Sequence, residues 1–517
     1  MFDLIIRNGT VVDGTRGARR RADVGVIGDR IVAVGGLETA VSHHTLDATH
    51  QIVAPGFIDV HTHSDAWLLK ETNFFSKTSQ GFTTEIIGLD GISYFPVNSD
   101  TIHDWVYYLR ALNGLRLEEY SGWQSLGDYM ALLDGRTAQN VATFVPYANV
   151  RTLAAGFSPA PPNDYQLRDI QRIIGEGMAE GAAGLSNGLD YVAECFASTD
   201  EFVQACQPLV AQQGVYVTHV RYKRGTLAGV QEAVEIGKRA GMPVHISHLK
   251  GTTPAEAEAI LSYMDNVAVN EVDFSFDVYP YVSSSTMLNY MLPYEVWHDG
   301  PLGVLPKLKS KALRQQWGRN LTHEPLDKIF IGWVPGKENG RYQGHTLAEY
   351  IETVGKAPAD ALCDLLIEEG LAVLLVFSHA DRDDLVAPFL AHPAYMMGSD
   401  GIYHPDSAIH PRHFGSGARL LGRYVREQKL MSLEEAVYKL AGFPAARFGL
   451  TNRGTIAKGN FADLVVFDAD TVADRATYEH GLETAVGVSH VIVNGTAIVA
   501  DGQPLAVQPG RYLRFKK

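Results

Sequence analysis

The sequence has few cysteines, a deficit of positive charge and no long apolar run. Three cysteines in 517 residues form neither a disulfide framework nor a cysteine-rich metal site, which fits a reducing compartment. The 44 Lys and Arg residues stand against 59 Asp and Glu, and the net charge of -15 disfavours nucleic acid or an anionic membrane as a partner. The longest apolar runs, such as LAVLLVF at 371–377, are far shorter than a membrane span, and MFDLIIRNGT carries no secretory signal. We therefore expect a cytoplasmic protein.

The two ends of the chain resemble each other. IIRNGTVVDG at 5–14 and VIVNGTAIVADG at 491–502 each place Asn-Gly between β-branched runs, a pattern typical of tight hairpin turns. The chain is also long enough for two or three structural units. We expect one small β-sandwich domain built from residues 1–54 and 452–517. Two unrelated hairpins are the alternative.

Between the ends, strand-like apolar runs alternate with amphipathic helical stretches. The strand candidates are NVATFVPYANV, GVYVTHVR, MPVHISHLK, FSFDVYPYV, LAVLLVFSH and AYMMGSDG, and LRDIQRIIGEGMAEG is typical of the helices. Such alternation predicts parallel β/α units in an α/β fold, and about eight of them over residues 55–451 suit a (β/α)8 TIM-like barrel. An insertion is expected near 288–345, where residues 290–325 have no strand signal; a lid and a packed surface excursion are both open.

The stretch APGFIDVHTHSD at 54–65 ends an apolar run with two histidines separated by one residue. Alternate residues of a strand share a face, so His61 and His63 are expected to aim at the same point. Two neutral imidazoles side by side suit a divalent metal ion. For this pair alone, chance is an equally good explanation.

More donors follow the ends of predicted strands, where a parallel barrel places its active groups. They are Asp90 in TTEIIGLDG, His219 in VYVTHVR, His248 in VHISHLK and Asp400 in YMMGSDG. With the histidine pair they predict a site for one or two divalent ions that share one carboxylate. His245, three residues before His248, is expected to face the opposite way and to pack or to support a ligand.

These motifs resemble those of the amidohydrolase superfamily: PGFIDVHTHSD, THVR, SHLK and GSDG, with a β unit built from both termini. DVYPYVSSST at 277–286, HPRHFGSGARLLGRYVRE at 410–427 and GNFADLVVFDADTVADRATYEH at 459–480 resemble the N-acyl-D-amino-acid deacylases, or D-aminoacylases. The likeness extends over nearly the whole chain. It implies a zinc site on a barrel and hydrolysis of a small-molecule substrate, an N-acylated D-amino acid, to a carboxylate and a free D-amino acid.

The resemblance also assigns the metal ligands. By position, His219 and His248 look like ligands of a tightly held ion, and the second, weaker site resembles one formed by His61, His63 and Asp400. GLDG stands where the well-known deacylases carry the cysteine of GNCG, so Asp90 is expected to bridge. A carboxylate is a harder ligand than a thiolate and also suits manganese or iron. Alternatively, Asp90 only shapes a turn before Gly91.

Catalytic and substrate-binding residues are implied in the same way. Asp400 is expected to act as general base, taking a proton from water and delivering it to the leaving nitrogen. Arg412 is expected to grip the substrate carboxylate with its planar fork. The other expected substrate contacts are Tyr191, Lys250, Tyr279 and Ser285. A core position for Tyr279 and a solvated Lys250 are the structural alternatives.

Two other functions stay open from the sequence. A cyclic amidase acting on hydantoin-like or dihydropyrimidine-like rings would use the same metal chemistry. The stretch AAGLSNGLDY at 182–191 lacks the lysine that bridges the metals in related enzymes, and this argues against such an amidase, as does the C-terminal match. A barrel that serves only for binding would be expected to have lost its metal-ligating residues, but this chain retains the four histidines and Asp400. No oligomeric state is predicted.

Overall fold

The computed structural model describes residues 1–379 and 382–515, and parallel strands that alternate with helices form its centre. The parallel strands are β1 (Phe57–Asp59), β2 (Phe82–Ile87), β3 (Asn140–Thr143), β4 (Val145–Pro146), β5 (Gly184–Gly188), β6 (Val215–His219), β7 (Val244–Ile246), β8 (Phe274–Val278) and β9 (Tyr395–Met397). Every residue of these strands is buried, as expected where helices cover both faces of a parallel sheet.

The parallel strands pair in two sheets. One has the order β1-β2-β3, and the other runs β4-β5-β6-β7-β8-β9. Only Phe144 separates β3 from β4. The structure therefore has the predicted α/β class, but the strand ladders are two open sheets and do not form the closed barrel expected from the sequence. Main-chain hydrogen bonds connect the outer edges, from Val60 N to Met397 O (3.4 Å) and from Asp400 N to His61 O (2.7 Å).

Helices connect successive parallel strands. In chain order the α-helices are Trp67–Lys70, Phe75–Thr78, Thr101–Asn113, Leu126–Leu133, Tyr147–Ala155, Asp164–Ala179, Thr199–Ala205, Gln207–Ala211, Thr226–Ala240, Pro254–Tyr263, Val269–Glu271, Arg412–Arg419, Leu433–Val437 and Phe443–Arg447. In the part of the chain that is described, no helix combines the length and the apolarity that crossing a membrane requires.

The helix Asp164–Ala179 illustrates why these segments are helical. Asn163 caps its first turn by accepting hydrogen bonds from the main-chain N–H groups of residues 165 and 166, which have no helical partner. Ile170, Ile174 and Met178 are buried at a spacing of four residues and form its inner face. The helix predicted from LRDIQRIIGEGMAEG is thereby confirmed.

A long excursion separates β8 from β9. It contains an antiparallel sheet in which Leu374–Phe377 lies between Ser284–Met287 and Ile329–Trp333. Its α-helices are Gly300–Lys307, Lys311–Leu321, Leu347–Val354, Pro358–Glu368 and Asp383–Ala391. LAVLLVFSH thus forms a strand, but the prediction that it belongs to the parallel β/α units is wrong, because a short apolar run reads alike in either kind of sheet. Residues 288–345 lie inside this excursion, which is longer than the expected insertion.

The termini form two further sheets. One has the order Arg30–Gly35, Asp23–Ile27, Phe2–Arg7 and Ser42–Asp47; the other has the order Gln503–Pro504, Thr496–Ala500, Val488–Val493, Leu464–Phe467, Ile52–Pro55, Thr10–Val11 and Arg20–Arg21. Because Leu464–Phe467 pairs antiparallel with Ile52–Pro55, both ends of the chain share one sheet. Val24, Val53 and Leu464 belong to one buried apolar cluster of this unit. The last two residues of the predicted β domain, 516 and 517, lie outside the described part of the chain.

The two Asn-Gly pairs behave differently. Asn494 (φ 49°) and Gly495 (φ 80°) join the paired strands Val488–Val493 and Thr496–Ala500, as predicted for a hairpin. Asn8 also has positive φ (62°), but the strands on either side of it belong to different sheets, so the hairpin prediction is wrong there. A Cβ on Gly9 would lie 2.5 Å from Val53 Cγ2, and glycine lets the chain pass between the sheets.

Candidate metal centre and substrate cavity

The predicted donors lie together at the carboxyl ends of the parallel strands. His61 and His63 follow β1, Asp90 follows β2, His248 follows β7 and Asp400 follows β9, while His219 is the last residue of β6. Parallel strands all end at the same edge of their sheet, and this brings residues from distant parts of the sequence together. Five of the six are buried and His248 is half-buried.

The donors form two groups that share one residue. His61, His63, Asp90 and Asp400 make the first group, and Asp90, His219 and His248 make the second; within each, one donor atom per residue lies within 4.8 Å of the others. Asp90 Oδ1 is 3.5 Å from His61 Nε2 and 3.6 Å from His248 Nε2. Its Oδ2 is 3.5 Å from His63 Nε2 and 3.8 Å from His219 Nδ1. Each oxygen of this carboxylate therefore faces both groups.

These residues fit a divalent metal ion. His61 Nε2 and Asp90 Oδ1 are buried without a hydrogen-bond partner among the described residues. Buried polar atoms without a partner cost free energy, which a cation held between them would offset. Imidazoles and carboxylates without a thiolate are a ligand set that suits zinc and also manganese or iron.

Asp90 lies in a main-chain turn and also supplies a donor to both groups. Asp90 has φ 55°, and Gly88 (73°) and Gly91 (71°) also have positive φ. Aspartate tolerates this left-handed conformation better than most residues. The turn role considered for Asp90 is therefore real, and the turn is what points the carboxylate at the four imidazoles.

Arg412 controls the charge of Asp400. Arg412 Nη1 lies 2.8 Å from Asp400 Oδ2, while His63 Nε2 lies 3.2 Å from the other oxygen. Burial by itself would raise the pKa of Asp400, but the guanidinium and the nearby imidazoles lower the pKa below its ordinary value. Asp400 is thus held ionised, as a proton acceptor must be.

Asp277 supports the centre and was not among the predicted site residues. Its Oδ2 is 3.4 Å from His61 Nδ1 and 2.9 Å from His245 Nε2, and its Oδ1 accepts the main-chain N–H of His248 (2.9 Å). A carboxylate on one ring nitrogen orients the other nitrogen toward a metal. His245, expected to support a ligand, does so through this carboxylate and also contacts Ser275 Oγ (2.8 Å). Asp277 lies near the end of β8, so the strand-end rule that selected the other donors could have found it.

Asp190 supports the second group in the same way. It follows β5 by two residues, and its Oδ2 lies 3.6 Å from His219 Nε2. The hydroxyls of Tyr290 and Tyr294 donate to the same carboxylate. Burial would lower the pKa of His219, but Asp190 and Asp90 raise the pKa to about 9. Sequence reasoning missed Asp190 although it directly precedes Tyr191, a predicted substrate contact.

A buried ion pair joins the two loops that carry His61 and Asp400. Lys77 Nζ lies 2.6 Å from Asp59 Oδ2, and both side chains are fully buried. Asp59 Oδ1 accepts the main-chain N–H of Ser399 (2.8 Å), and Ser399 Oγ donates to Asp59 Oδ2 (2.6 Å). The last residue of β1 is thereby attached to the loop after β9.

A cavity of about 240 Å³ opens over the centre. Its wall includes five donors (His63, Asp90, His219, His248 and Asp400) and the predicted contacts Tyr191, Lys250, Tyr279 and Ser285. Lys250 Nζ donates to Tyr279 Oη (2.7 Å) and to the carbonyl of Ser283 (3.1 Å). Lys250 is therefore a cavity residue and not a solvated loop charge.

Arg412, predicted to grip the substrate carboxylate, is already engaged with two neighbouring groups. Besides its ion pair with Asp400, its Nη2 donates to the carbonyl of Ser285 (3.0 Å). The side chain is buried, with 1% of its surface exposed. The sequence motif could place Arg412 near the site, but its partners depend on the long-range approach of Asp400 and Ser285.

Comparisons with known proteins bear on this arrangement. The sequence profile of the amidohydrolase family matches residues 44–288 and 334–499. A D-aminoacylase and an N-acyl-D-glutamate deacylase, both from Alcaligenes xylosoxydans xylosoxydans, are each 35% identical to the chain; the matches cover 99% of this chain and 97% and 96% of the relatives. A crystal structure of N-acyl-D-glutamate deacylase from Bordetella bronchiseptica, with zinc and a phosphonate inhibitor, has a TM-score of 0.84 at 32% identity over 99% of both chains.

A D-hydantoinase structure is more distant. It covers 99% of both chains with a TM-score of 0.57, but at 16% identity. Such a likeness concerns the fold alone. The chain is thus more similar to the deacylases than to the hydantoinase.

Proposed function

The chain belongs to the amidohydrolase family, and from this premise we propose that it is a metal-dependent hydrolase of N-acyl-D-amino acids. The products are a carboxylate and a free D-amino acid. One observation carries this function: four imidazoles and two carboxylates form two donor groups that share Asp90 at the floor of a cavity. The relatives with 35% identity over nearly the whole chain act, by their names, on substrates of this class.

The metal is best held by the two donor groups. His219, His248 and Asp90 would hold one ion, and a second would be held by His61, His63, Asp90 and Asp400. Divalent ions in such sites lower the pKa of water toward about 7 and polarise a carbonyl, which is the chemistry that a stable amide requires. Asp90 supplies a carboxylate and not a soft thiolate to both donor groups, so zinc is expected to have manganese and iron as competent substitutes.

Asp400 is the general base in this proposal. Its carboxylate is ionised, and Arg412 holds one oxygen, so that the other faces the donor groups. From this position it would take a proton from the attacking water and return it to the leaving nitrogen. Arg412 acts as a positioning residue that keeps the carboxylate charged and oriented.

Lys250 is better placed than Arg412 to receive the substrate carboxylate. Both cations lie against the ring of Tyr279, with Lys250 Nζ 4.0 Å and Arg412 Cζ 4.5 Å from its centroid. Asp400 neutralises Arg412, while Lys250 has no carboxylate within ion-pair distance in the described part of the chain. Burial, then the charge of Arg412, lower the pKa of Lys250 well below its ordinary value. A bound carboxylate next to Lys250, Tyr279 and Ser285 would favour the charged ammonium group and raise this pKa again.

Two finer features of the architecture belong to the same proposal. The two parallel sheets are arcs of one (β/α)8 barrel, residues 55–451, since hydrogen bonds and a parallel bridge between Thr62 and Gly401 connect their outer edges. Residues 1–54 and 452–517 are a β-sandwich domain, since strands of both ends share a sheet and an apolar cluster. A cytoplasmic location stays a prediction from the composition.

The test is an assay of the metal-replete protein on matched amides. We expect N-acetyl-D-amino acids to be hydrolysed, their L-enantiomers to be inert, and hydantoin and dihydrouracil rings to remain closed. Protein stripped of metal is the control and is expected to regain activity with zinc or manganese. Faster opening of the rings than hydrolysis of the linear amides would establish a cyclic amidase instead.

A further inference from the structure

Sequence identity does not decide which D-amino acid side chain the cavity accepts. The chain is equally similar, at 35%, to a D-aminoacylase and to an N-acyl-D-glutamate deacylase. On the basis of the proposed function, we infer that the enzyme selects N-acyl-D-amino acids whose side chains are uncharged and excludes D-glutamate and D-aspartate. The charges on the cavity wall carry this selectivity.

The wall has few basic side chains. Lys250 is the only Lys or Arg among the described residues of the wall. His379 is the remaining ring there that can carry a charge, and partial burial together with the charge of Lys250 lowers its pKa, so that it is neutral in a weakly alkaline assay. Every N-acyl amino acid brings one carboxylate of its own, and Lys250 is the group that would match it.

Three cations that are not part of the wall contact other groups. Arg221 Nε lies 2.9 Å from Glu232 Oε2, which neutralises it. The exposed Lys223 donates through Nζ to the carbonyl of Tyr290 (2.6 Å). Arg412 is paired with Asp400, as described above. A second carboxylate, on a substrate side chain, would therefore meet no further Lys or Arg on the described wall, and its burial there without a counterion is unfavourable.

One part of the wall suits an apolar side chain. Leu112, Tyr191, Val282, Tyr290 and Phe377 line it, and the rings of Tyr191 and Tyr290 lie 5.6 Å apart. Leu112 and Tyr191 are almost fully buried, whereas Phe377 is half-buried. Burial of an apolar side chain against such a surface is favourable. A positively charged side chain would find no carboxylate on the described wall outside the donor groups.

Two isosteric substrate pairs test this directly. With metal-replete wild-type protein, kcat/KM is measured for N-acetyl-D-glutamine against N-acetyl-D-glutamate, and for N-acetyl-D-asparagine against N-acetyl-D-aspartate, with N-acetyl-D-leucine as the apolar reference. The members of a pair have the same shape and differ in charge. We expect the neutral member to be favoured by at least about 100-fold in each pair, and leucine to be the best substrate.

Phe377→Arg places a cation on the wall, and Phe377→Met is its uncharged control. The arginine variant is expected to reduce the glutamine-to-glutamate ratio by at least about 10-fold, while the methionine variant leaves the ratio near the wild-type value. Equal rates for a wild-type pair, or a preference for the acid, would overturn the inferred selectivity and leave the deacylase function intact. Hydrolysis of none of the N-acetyl-D-amino acids would overturn both.

Discussion

Replacing Asp90 with asparagine is the sharpest perturbation of the metal centre. Asparagine has the shape of aspartate and tolerates the left-handed backbone at this position, where φ is 55°. Alanine would add strain to the turn, so its effect on the metal would be mixed with an effect on the fold. Asp90→Asn thus removes one charge and one anionic oxygen and keeps the turn.

The expected loss follows from the position of the carboxylate between the groups. Its oxygens lie 3.5–3.8 Å from four imidazole nitrogens, and without it the second group retains only His219 and His248. Catalytic zinc sites usually have three protein ligands. Loss of a residue that only supports a ligand costs about 10–100-fold in metal affinity, so loss of a shared ligand should cost at least about 100-fold. That corresponds to about 2.7 kcal/mol of metal-dependent stabilisation.

Metal content by mass spectrometry and thermal unfolding are the two assays. For each protein the stabilisation is the difference between the metal-replete and the chelated form, so that changes in the metal-free fold cancel. We expect wild-type protein to bind up to two ions and Asp90→Asn to bind one or fewer. Asp90→Cys is a matched variant with a soft ligand and should retain zinc better than manganese. Equal metal content and affinity in wild type and Asp90→Asn would reduce Asp90 to a turn residue.

Three further substitutions probe the base and its supports. Asp400→Asn should lower turnover roughly 10²–10⁴-fold with the fold intact, by steady-state kinetics and circular dichroism, and near-normal turnover would remove Asp400 as the base. Asp277→Asn should weaken metal binding about 10–100-fold in a competition titration with a chelator, because it loosens the ring of His61 and the main chain of His248. Unchanged metal affinity would contradict this support role. Lys77→Met leaves the carboxylate of Asp59 buried and unpaired and should cost about 3–5 kcal/mol in urea unfolding. Lys70 forms a half-buried ion pair with Glu119, so Lys70→Met is the control and should cost about 1 kcal/mol or less. Equal losses of stability in the two variants would refute the reasoning.

The site was more predictable than the architecture around it. The donors could be found because each follows an apolar run, and a single rule about strand ends covers His61, Asp90 and Asp400 alike. The alternation of apolar runs with helical stretches placed residues 374–377 in the wrong sheet, since an apolar run does not identify its partner strands. Asn8-Gly9 has the turn conformation that its sequence predicts, but its flanking strands pair elsewhere.

Local chemistry in the sequence by itself determined the donor types, the capped helices, the hairpin at Asn494-Gly495 and the family resemblance, because each depends on residues close together along the chain. Only the tertiary structure decided that Asp277 and Asp190 support the histidines, that Arg412 contacts Asp400, and that Lys250 is the one Lys or Arg on the described cavity wall. Those properties depend on distances of a few ångströms between residues that are not neighbours along the chain. They arise when parallel strands bring their carboxyl ends to one edge.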